Sequence, residues 1–316
     1  MVSHDPEPSV CIVIVHFNSR PELQACLQSC QGIKYGNYEI ILVENGSRIP
    51  LDLDEMKGLC GQVRKILKIP VNIGYPRAAN VGLREALADR PEYVLLLNDD
   101  TKVSPDFLRE LVNVGETIQD AGGLGPAIYD SEVPLKVWDS GGRIDLATCR
   151  LHLSDVQQVV QGEGRRPVVF EFLTGCCLLV KKRVLETIGL FDERFYLYWE
   201  DADFMVRMNQ AGFKNVLVPS ANIWHKGSVS VGGHRSPFQT YHVVRSQLLF
   251  ARLHAPQALS HLQRVILRTI AKLLIKSRER SRFQEARACF SALRDYRLNR
   301  LDRGPDWLWR TLSVPS

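Results

Sequence analysis

A chain of 316 residues with 45% hydrophobic and 24% charged side chains has enough apolar material for one large domain, or a domain with an appendage, which argues against disorder. Its net charge of +5 is uneven: between residues 264 and 303 twelve Lys and Arg stand against four Asp and Glu, leaving +8 there and −3 elsewhere. The longest apolar runs, residues 11–15 and 94–97, fall far short of the roughly 20 residues that span a bilayer. The N-terminus MVSHDPEPSV lacks the basic start and longer apolar stretch of a secretory signal, so a cytoplasmic location is expected. Eight cysteines (11, 26, 30, 60, 149, 176, 177 and 289) form no C-x-x-C pair and are expected to be reduced, buried hydrophobes.

Short apolar runs alternate with amphipathic stretches over the first hundred residues, the pattern of strands joined through helices in a mostly parallel sheet. Residues 10–15 predict the first strand. Ser19 and Glu22 have capping-box spacing ahead of a helix with Leu23, Cys26, Leu27 and Cys30 on one face. A strand at 39–43 runs into Glu44-Asn45-Gly46, a helix follows at 76–87, and the apolar strand 93–97 leads directly into Asn98-Asp99-Asp100. Ser104-Pro105 predicts the next helix start. From 122 to 172 the pattern is irregular, with Gly141-Gly142 and Gly162-Glu163-Gly164 read as turns. Order returns as a buried strand at 176–180, a short helix at 181–188 and a helix at 201–211 that Gly212 stops. After Ser236 the pattern turns helical, at 241–253 and 259–275.

In such a sheet, ligands gather at the carboxyl ends of the strands, where loops converge and helix N-termini offer N–H groups. The polar residues at those ends are His16, Phe17, Asn18 and Ser19, then Glu44 and Asn45, then Asn98, Asp99 and Asp100. Adjacent carboxylates beyond a buried strand can hold a hard cation, Mn2+ or Mg2+, while leaving positions for phosphate oxygens; the alternative role is to turn and cap the chain. Glu200-Asp201-Ala202-Asp203 opens a helix, where acids also act as caps. Its neighbours Phe195, Tyr196, Tyr198 and Trp199 favour a site at which rings stack a sugar and an acid takes a hydroxyl proton. His225, ahead of Lys226-Gly227-Ser228, can ligate a metal or touch phosphate.

Six segments in order, VHFNSR, VENGS, VNIGYPRAANVGL, LLLNDDT, FLTGCCLLVKKRVLETIGLFDERFYLYWEDADFMVRMNQAGF and IWHKGS, make residues 10–230 similar to family 2 glycosyltransferases of the GT-A fold, particularly the rhamnosyltransferase-like bacterial members. The resemblance implies an α/β catalytic domain over 1–236: a Rossmann-like, mostly parallel sheet flanked by helices. Residues 1–120 would be its nucleotide-binding half and 121–236 its acceptor half, with 237–316 a basic helical appendage. It also implies that His16, Phe17, Asn18, Glu44, Asn45, Arg77 and Asn80 surround the base and ribose. Asn98 and Asp99 would hold the ribose and metal-bound diphosphate, Asp100 and His225 the metal. Asp201, with Glu200 beside it, would supply the base, and Gly175 and Trp199 would line the acceptor side. The implied reaction is inverting transfer of a sugar, rhamnose from a dTDP donor first, with UDP and GDP donors open, to a saccharide or lipid-linked acceptor in cell-surface polysaccharide or glycolipid synthesis. Two departures stand out: Glu44 replaces a common Asp, and Asn98 replaces the first acid of D-x-D.

The tail allows two readings. Arg264, Arg268, Lys272 and Lys276 recur every four residues beside Val265, Ile266, Ile270, Leu273 and Leu274, which suits a helix lying on an anionic membrane, at the inner face of the plasma membrane, or packed on the domain. A rival class, a non-catalytic nucleic-acid-binding protein, uses the same basic helices but leaves the acids at 200–203 unexplained. A dinucleotide-dependent oxidoreductase lacks its G-x-G-x-x-G after Val15, and an aspartyl phosphatase would find Asn98 at its nucleophile position.

Overall fold

The structure, a computed structural model, describes residues 6–133, 135–138, 141–154, 156–162, 165–227, 236–275 and 280–312. In chain order these form β1 (Val10–His16), α1 (Arg20–Cys30), β2 (Tyr38–Asn45), α2 (Leu53–Leu59), β3 (Val63–Ile69), α3 (Tyr75–Ala88), β4 (Tyr93–Asn98), β5 (Thr101–Val103), α4 (Phe107–Thr117) and β6 (Ala121–Asp130). An irregular stretch holds β7 (Gly141–Asp145), β8 (Arg150–Leu153), α5 (Gln157–Gln161), β9 (Val168–Phe170) and β10 (Phe172–Leu173). Then come β11 (Cys177–Lys181), α6 (Lys182–Ile188), α7 (Glu200–Gln210) and β12 (Lys214–His225), followed by α8 (Pro237–His254), α9 (Leu259–Ile275), α10 (Arg280–Arg297) and α11 (Asp306–Trp309).

The large sheet runs β3-β2-β1-β4-β11-β6-β12-β5, with β9 beside β12. Its first four strands are parallel. Beyond β4 the sheet is mixed: β11 is antiparallel to both neighbours, β6 and β12 are parallel, and β5 and β9 oppose β12. A small antiparallel sheet, β10-β7-β8, lies apart from it. Alternation along the strands divides the interior in two. Cys11 and Val13 of β1 join Val94 and Leu96 of β4 in one core, with Ala78, Ala79, Leu83 and Ala86 of α3. Val10, Ile12 and Ile14 join Tyr93, Leu95 and Leu97 in the other, with the predicted stripe of α1. Strands covered by helices on both faces must be apolar throughout, which explains runs such as VCIVIV and YVLLL.

Some local expectations shift. Ser19 precedes α1 but makes no capping bond; its hydroxyl donates to the Phe17 carbonyl at 3.4 Å. Ser104-Pro105 lies outside α4, which starts at Phe107 behind Asp106. Gly141-Gly142 is part of β7 rather than a turn: a Cβ on Gly142 would come within 2.2 Å of the His152 carbonyl oxygen on β8, so the strand pairing itself requires glycine. Of the other predicted turn, Glu163 and Gly164 lie outside the described residues. All eight cysteines are free and buried.

The basic tail packs on the rest of the chain. Leu262, Ile266 and Ile270 of α9 and Ala286, Cys289, Leu293 and Tyr296 of α10 join the core that contains α3, and each large aliphatic side chain so buried contributes about 1.5–3 kcal/mol. Arg264, Arg268 and Lys272 stay exposed on the opposite face, while Lys276 lies outside the described residues. No described helix is long and apolar enough to cross a membrane.

Candidate active site

Parallel pairing brings three predicted positions to one edge of the sheet. His16 lies opposite Glu44, and Val15 opposite Asn98, at the carboxyl ends of β1, β2 and β4. Asn18 takes a left-handed conformation (φ 61°), which Asn tolerates better than most residues. Its N–H donates to Ser47 Oγ (3.0 Å) and its Oδ1 accepts from Arg48 N (2.9 Å), tying the ends of β1 and β2 together. Glu44 Oε2 accepts from Leu51 N (2.9 Å), and Asn45 Oδ1 from Ile73 N (3.0 Å). His16 is almost fully buried, with Nδ1 2.7 Å from Asp99 Oδ2. Burial raises the Asp99 carboxyl above its ordinary range, while the hydrogen bond and charge of His16 pull it down.

His225 reaches Asp100 through strand register. In the antiparallel pair, His225 of β12 faces Thr101 of β5, and Lys226 N donates to the Asp100 carbonyl (3.1 Å). His225 Nε2 then lies 3.0 Å from Asp100 Oδ1. The pair is close in distance but not aligned as a hydrogen bond: Asp100 Oδ1 and His225 Nδ1 are both buried without a hydrogen-bond partner among the described residues. Buried polar atoms left in this state cost about 1–3 kcal/mol each, so the arrangement fits a site completed by something else.

Asp201 is the second residue of α7. Two consecutive non-glycine residues ahead of it, Tyr198 (φ 65°) and Trp199 (φ 67°), are left-handed, a strain of about 1–2 kcal/mol each that surrounding packing must hold. That turn directs Asp201 at Gly175: Oδ2 accepts from Gly175 N (3.3 Å) and Oδ1 from Ala202 N (2.8 Å). A Cβ at 175 would sit 3.0 Å from Asp201 Cβ and 3.2 Å from Oδ2. The next carbonyl, of Cys176, accepts from Asn98 N (2.8 Å), so two residues connect Asp201 to the 98–100 turn. Burial pushes Asp201 up to about 6 against the pull of these N–H groups. Burial, then the Asp201 charge, pushes Glu200 up to about 8, and its Oε2 has no hydrogen-bond partner among the described residues.

The 98–100 turn and Asp201 open onto adjoining cavities. One, of about 250 Å3, is lined by Phe17, Asn45, Tyr75, Asn98, Asp99, Asp100, Tyr196, Tyr198 and His225, and on another side by Phe238, Trp309 and Leu312 of the tail. The second, of about 350 Å3, is lined by Arg150, Leu151, Tyr198, Trp199, Asp201, Val243 and Gln247. Tyr198 borders both.

His16, Asn18, Glu44, Gly175 and Glu200 stand behind the residues that line the two cavities, and Arg77 and Asn80 are likewise absent from both linings. Asn80 is buried and bonded to both the carbonyl and the N–H of Phe191 (2.9 and 3.0 Å), and Arg77 Nε donates to the Glu193 carbonyl (3.0 Å). Both hold the 191–193 loop against α3, because their helix face points toward that loop. Conversely, Asn72, Phe238, Trp309 and Leu312 line the first cavity without having been singled out. Asn72 lies within the VNIGYPRAANVGL segment, but Trp309, one of two Trp near the C-terminus, carries no local signal.

The family model described as Glycosyl transferase family 2 matches residues 11–189. The N-acetylglucosaminyl-diphospho-decaprenol L-rhamnosyltransferase of Mycobacterium tuberculosis (strain CDC 1551 / Oshkosh) is 26% identical over 265 residues, covering 77% of this chain and 84% of that protein. The dTDP-rhamnosyl transferase RfbF of Shigella flexneri is 23% identical over 287 residues, covering 87% and 91%. Among solved structures, GalNAc-T7 with UDP, GalNAc and Mn2+ superposes with a TM-score of 0.57 at 17% identity over 69% of this chain, and S. aureus TarS with 0.54 at 14% over 96%. The chain spans 43% and 50% of those longer proteins, and at this identity the likeness is one of fold. Sheet order, site and family match together identify the chain as a member of glycosyl transferase family 2 with the GT-A fold.

Proposed function

We propose that the protein is an inverting glycosyltransferase that moves a sugar from a nucleoside-diphosphate donor to an acceptor hydroxyl, with Asp201 as the base. The observation that carries this reading is the connection of Asp201, through Gly175 and Cys176, to a turn whose Asp100 presents a buried oxygen that makes no hydrogen bond and lies 3.0 Å from His225 Nε2. The donor occupies the first cavity against Phe17, Asn45, Asn98 and Asp99, with His16, Asn18 and Glu44 holding that edge in shape. The acceptor enters the second cavity along Trp199, below Gly175. Residues 1–236 make up the catalytic domain and 237–316 its helical appendage.

Asp100 and His225 would hold Mn2+ or Mg2+: Asp100 Oδ1 and His225 Nε2, 3.0 Å apart, are an oxygen and an imidazole nitrogen of the types such ions accept. Among the described residues no third His, Cys, Asp or Glu completes a cluster, so donor diphosphate oxygens would supply the remaining positions. When bound, such an ion neutralises charge developing on the leaving diphosphate. The protein's own groups do the rest. Asp201 accepts the acceptor proton as that oxygen bonds to the anomeric carbon, and the bond to the diphosphate breaks with its electron pair staying on the leaving group. Attack from the face opposite the leaving group inverts the configuration. Glu200, held protonated at neutral pH, does not compete for the proton.

The two named rhamnosyltransferase relatives favour dTDP-linked rhamnose as the donor and a saccharide or lipid-linked acceptor in bacterial cell-surface polysaccharide synthesis. The surface at residues 259–303 supports peripheral contact with an anionic bilayer. Ile275 is 85% exposed, Phe283 55% and Phe290 57%, with Arg264, Arg268 and Lys272 also exposed. This would hold the protein at the cytoplasmic face of the membrane. The deciding experiment is a thermal-shift panel of dTDP, UDP and GDP with and without Mn2+ or Mg2+. One nucleotide is expected to raise the melting temperature, and more so with the ion; no shift with any of them would defeat the donor assignment.

A further inference from the structure

We infer that the C-terminal segment at residues 306–312 is a wall of the donor cavity, and that Trp309 contacts the bound nucleotide-sugar. The inference rests on the donor assignment above and extends it to a part of the chain beyond the 11–189 family match. Trp309 and Leu312 line the same cavity as Asn98, Asp99 and Asp100, whereas Asp201 opens onto the neighbouring one. The occupant they face is therefore the donor rather than the acceptor.

The indole is held in place by aromatic edges from three separate parts of the chain. Phe238 is 5.1 Å away, Phe17 6.2 Å and Tyr196 6.4 Å between ring centroids, all close to perpendicular. Its Nε1 donates to the Arg303 carbonyl (3.0 Å), and the Arg303 guanidinium lies 5.2 Å from its centroid. With its only donor engaged there, Trp309 offers the cavity apolar ring surface, the kind of surface on which a nucleobase or sugar face packs.

The segment is anchored as a fixed wall. Leu308 is fully buried among Phe238, Tyr241, Ala288 and Ala292. Arg287 stacks 4.1 Å over Trp307. Gly304, at φ 74°, passes so close to Tyr241 that a Cβ there would lie 2.6 Å from its ring. Arg303 and Asp306 are paired at 2.8 Å. A wall held this way is already in place before the donor arrives, so its contribution should appear in donor affinity rather than in turnover.

The test uses the full-length protein, titrating dTDP, UDP and GDP with Mn2+ calorimetrically and measuring kcat and donor KM separately. Trp309→Ala is expected to weaken the preferred nucleotide and raise donor KM by about ten-fold, with kcat changed less than about two-fold, and Trp309→Phe to recover most of the loss. A folded Trp309→Ala protein with wild-type nucleotide affinity overturns the inference while leaving the donor assignment intact. Wild-type protein that binds none of the three nucleotides overturns both. If Trp309→Ala does not fold, Trp309→Leu, which keeps apolar bulk against Phe238 but no ring, carries the same expectation for affinity and KM and is read the same way.

Discussion

A carboxyl group that burial lifts to about 6 acts as a base only where it has lost its proton, which gives Asp201 a pH signature. On this reading kcat/KM rises with pH through about 6, and Asp201→Asn lowers kcat by about 10²–10⁴ with nucleotide affinity unchanged. An acid limb at ordinary carboxylate values, or near-normal turnover in the Asn variant, would remove Asp201 as base. The same burial acts on stability. Between the ordinary value of 3.8 and about 6 the folded protein holds a proton that the unfolded chain has released, so stability falls as pH rises through that window. For Glu200 the window runs from 4.5 to about 8. Asp201→Asn and Glu200→Gln are each expected to be more stable than wild type at pH 7, by something of the order of 2 kcal/mol, and no more stable at pH 4. Urea unfolding at the two pH values checks this; equal midpoints at pH 7 would mean that neither carboxylate is strained by burial. These acids could be picked out in the sequence because WEDAD places them at a helix start beside rings. Their altered acidity could not, because it depends on which groups surround them.

Elements bring the site together in ways that local pattern reveals unevenly. The runs at 10–15 and 93–97 could be read as strands because both their faces are buried, and α9 was bounded at 259–275 by its own periodicity. Register is another matter. His225 meets Asp100 only because β12 pairs antiparallel with the three-residue β5, a strand too short to be found by alternation. A residue that family likeness places at the ligand can also have a local task. Asn80, expected at the nucleotide, ties α3 to Phe191. Asn80→Ala is expected to destabilise the protein by about 1–3 kcal/mol through two unpartnered backbone groups while leaving nucleotide affinity within about two-fold. Unfolding and calorimetry on the same sample separate the two effects, and lost affinity at unchanged stability would return Asn80 to the donor site.

For the molecule as a whole, the tail fulfils one of its two readings visibly: the apolar face of α9 packs on the catalytic core. Leu267, Ile275, Phe283 and Phe290 are exposed on these helices, beside the exposed Arg264, Arg268 and Lys272, and the proposed bilayer contact is tested there. Flotation with vesicles containing phosphatidylglycerol is expected to carry the protein, and Phe283→Ser with Phe290→Ser to reduce bound protein about ten-fold, whereas neutral vesicles leave it behind. Equal flotation of wild type and the double variant would rule out that surface. The amino-acid sequence by itself determined the family and the alternation of strands and helices, because these are written in short windows of pattern and motif. Only the tertiary structure decided that Arg77 and Asn80 serve a loop, that Asp100 faces His225, and that Trp309 closes a cavity begun by Phe17. Those are meetings of residues distant in the chain, set by strand register and by the packing of the tail, which no local periodicity encodes.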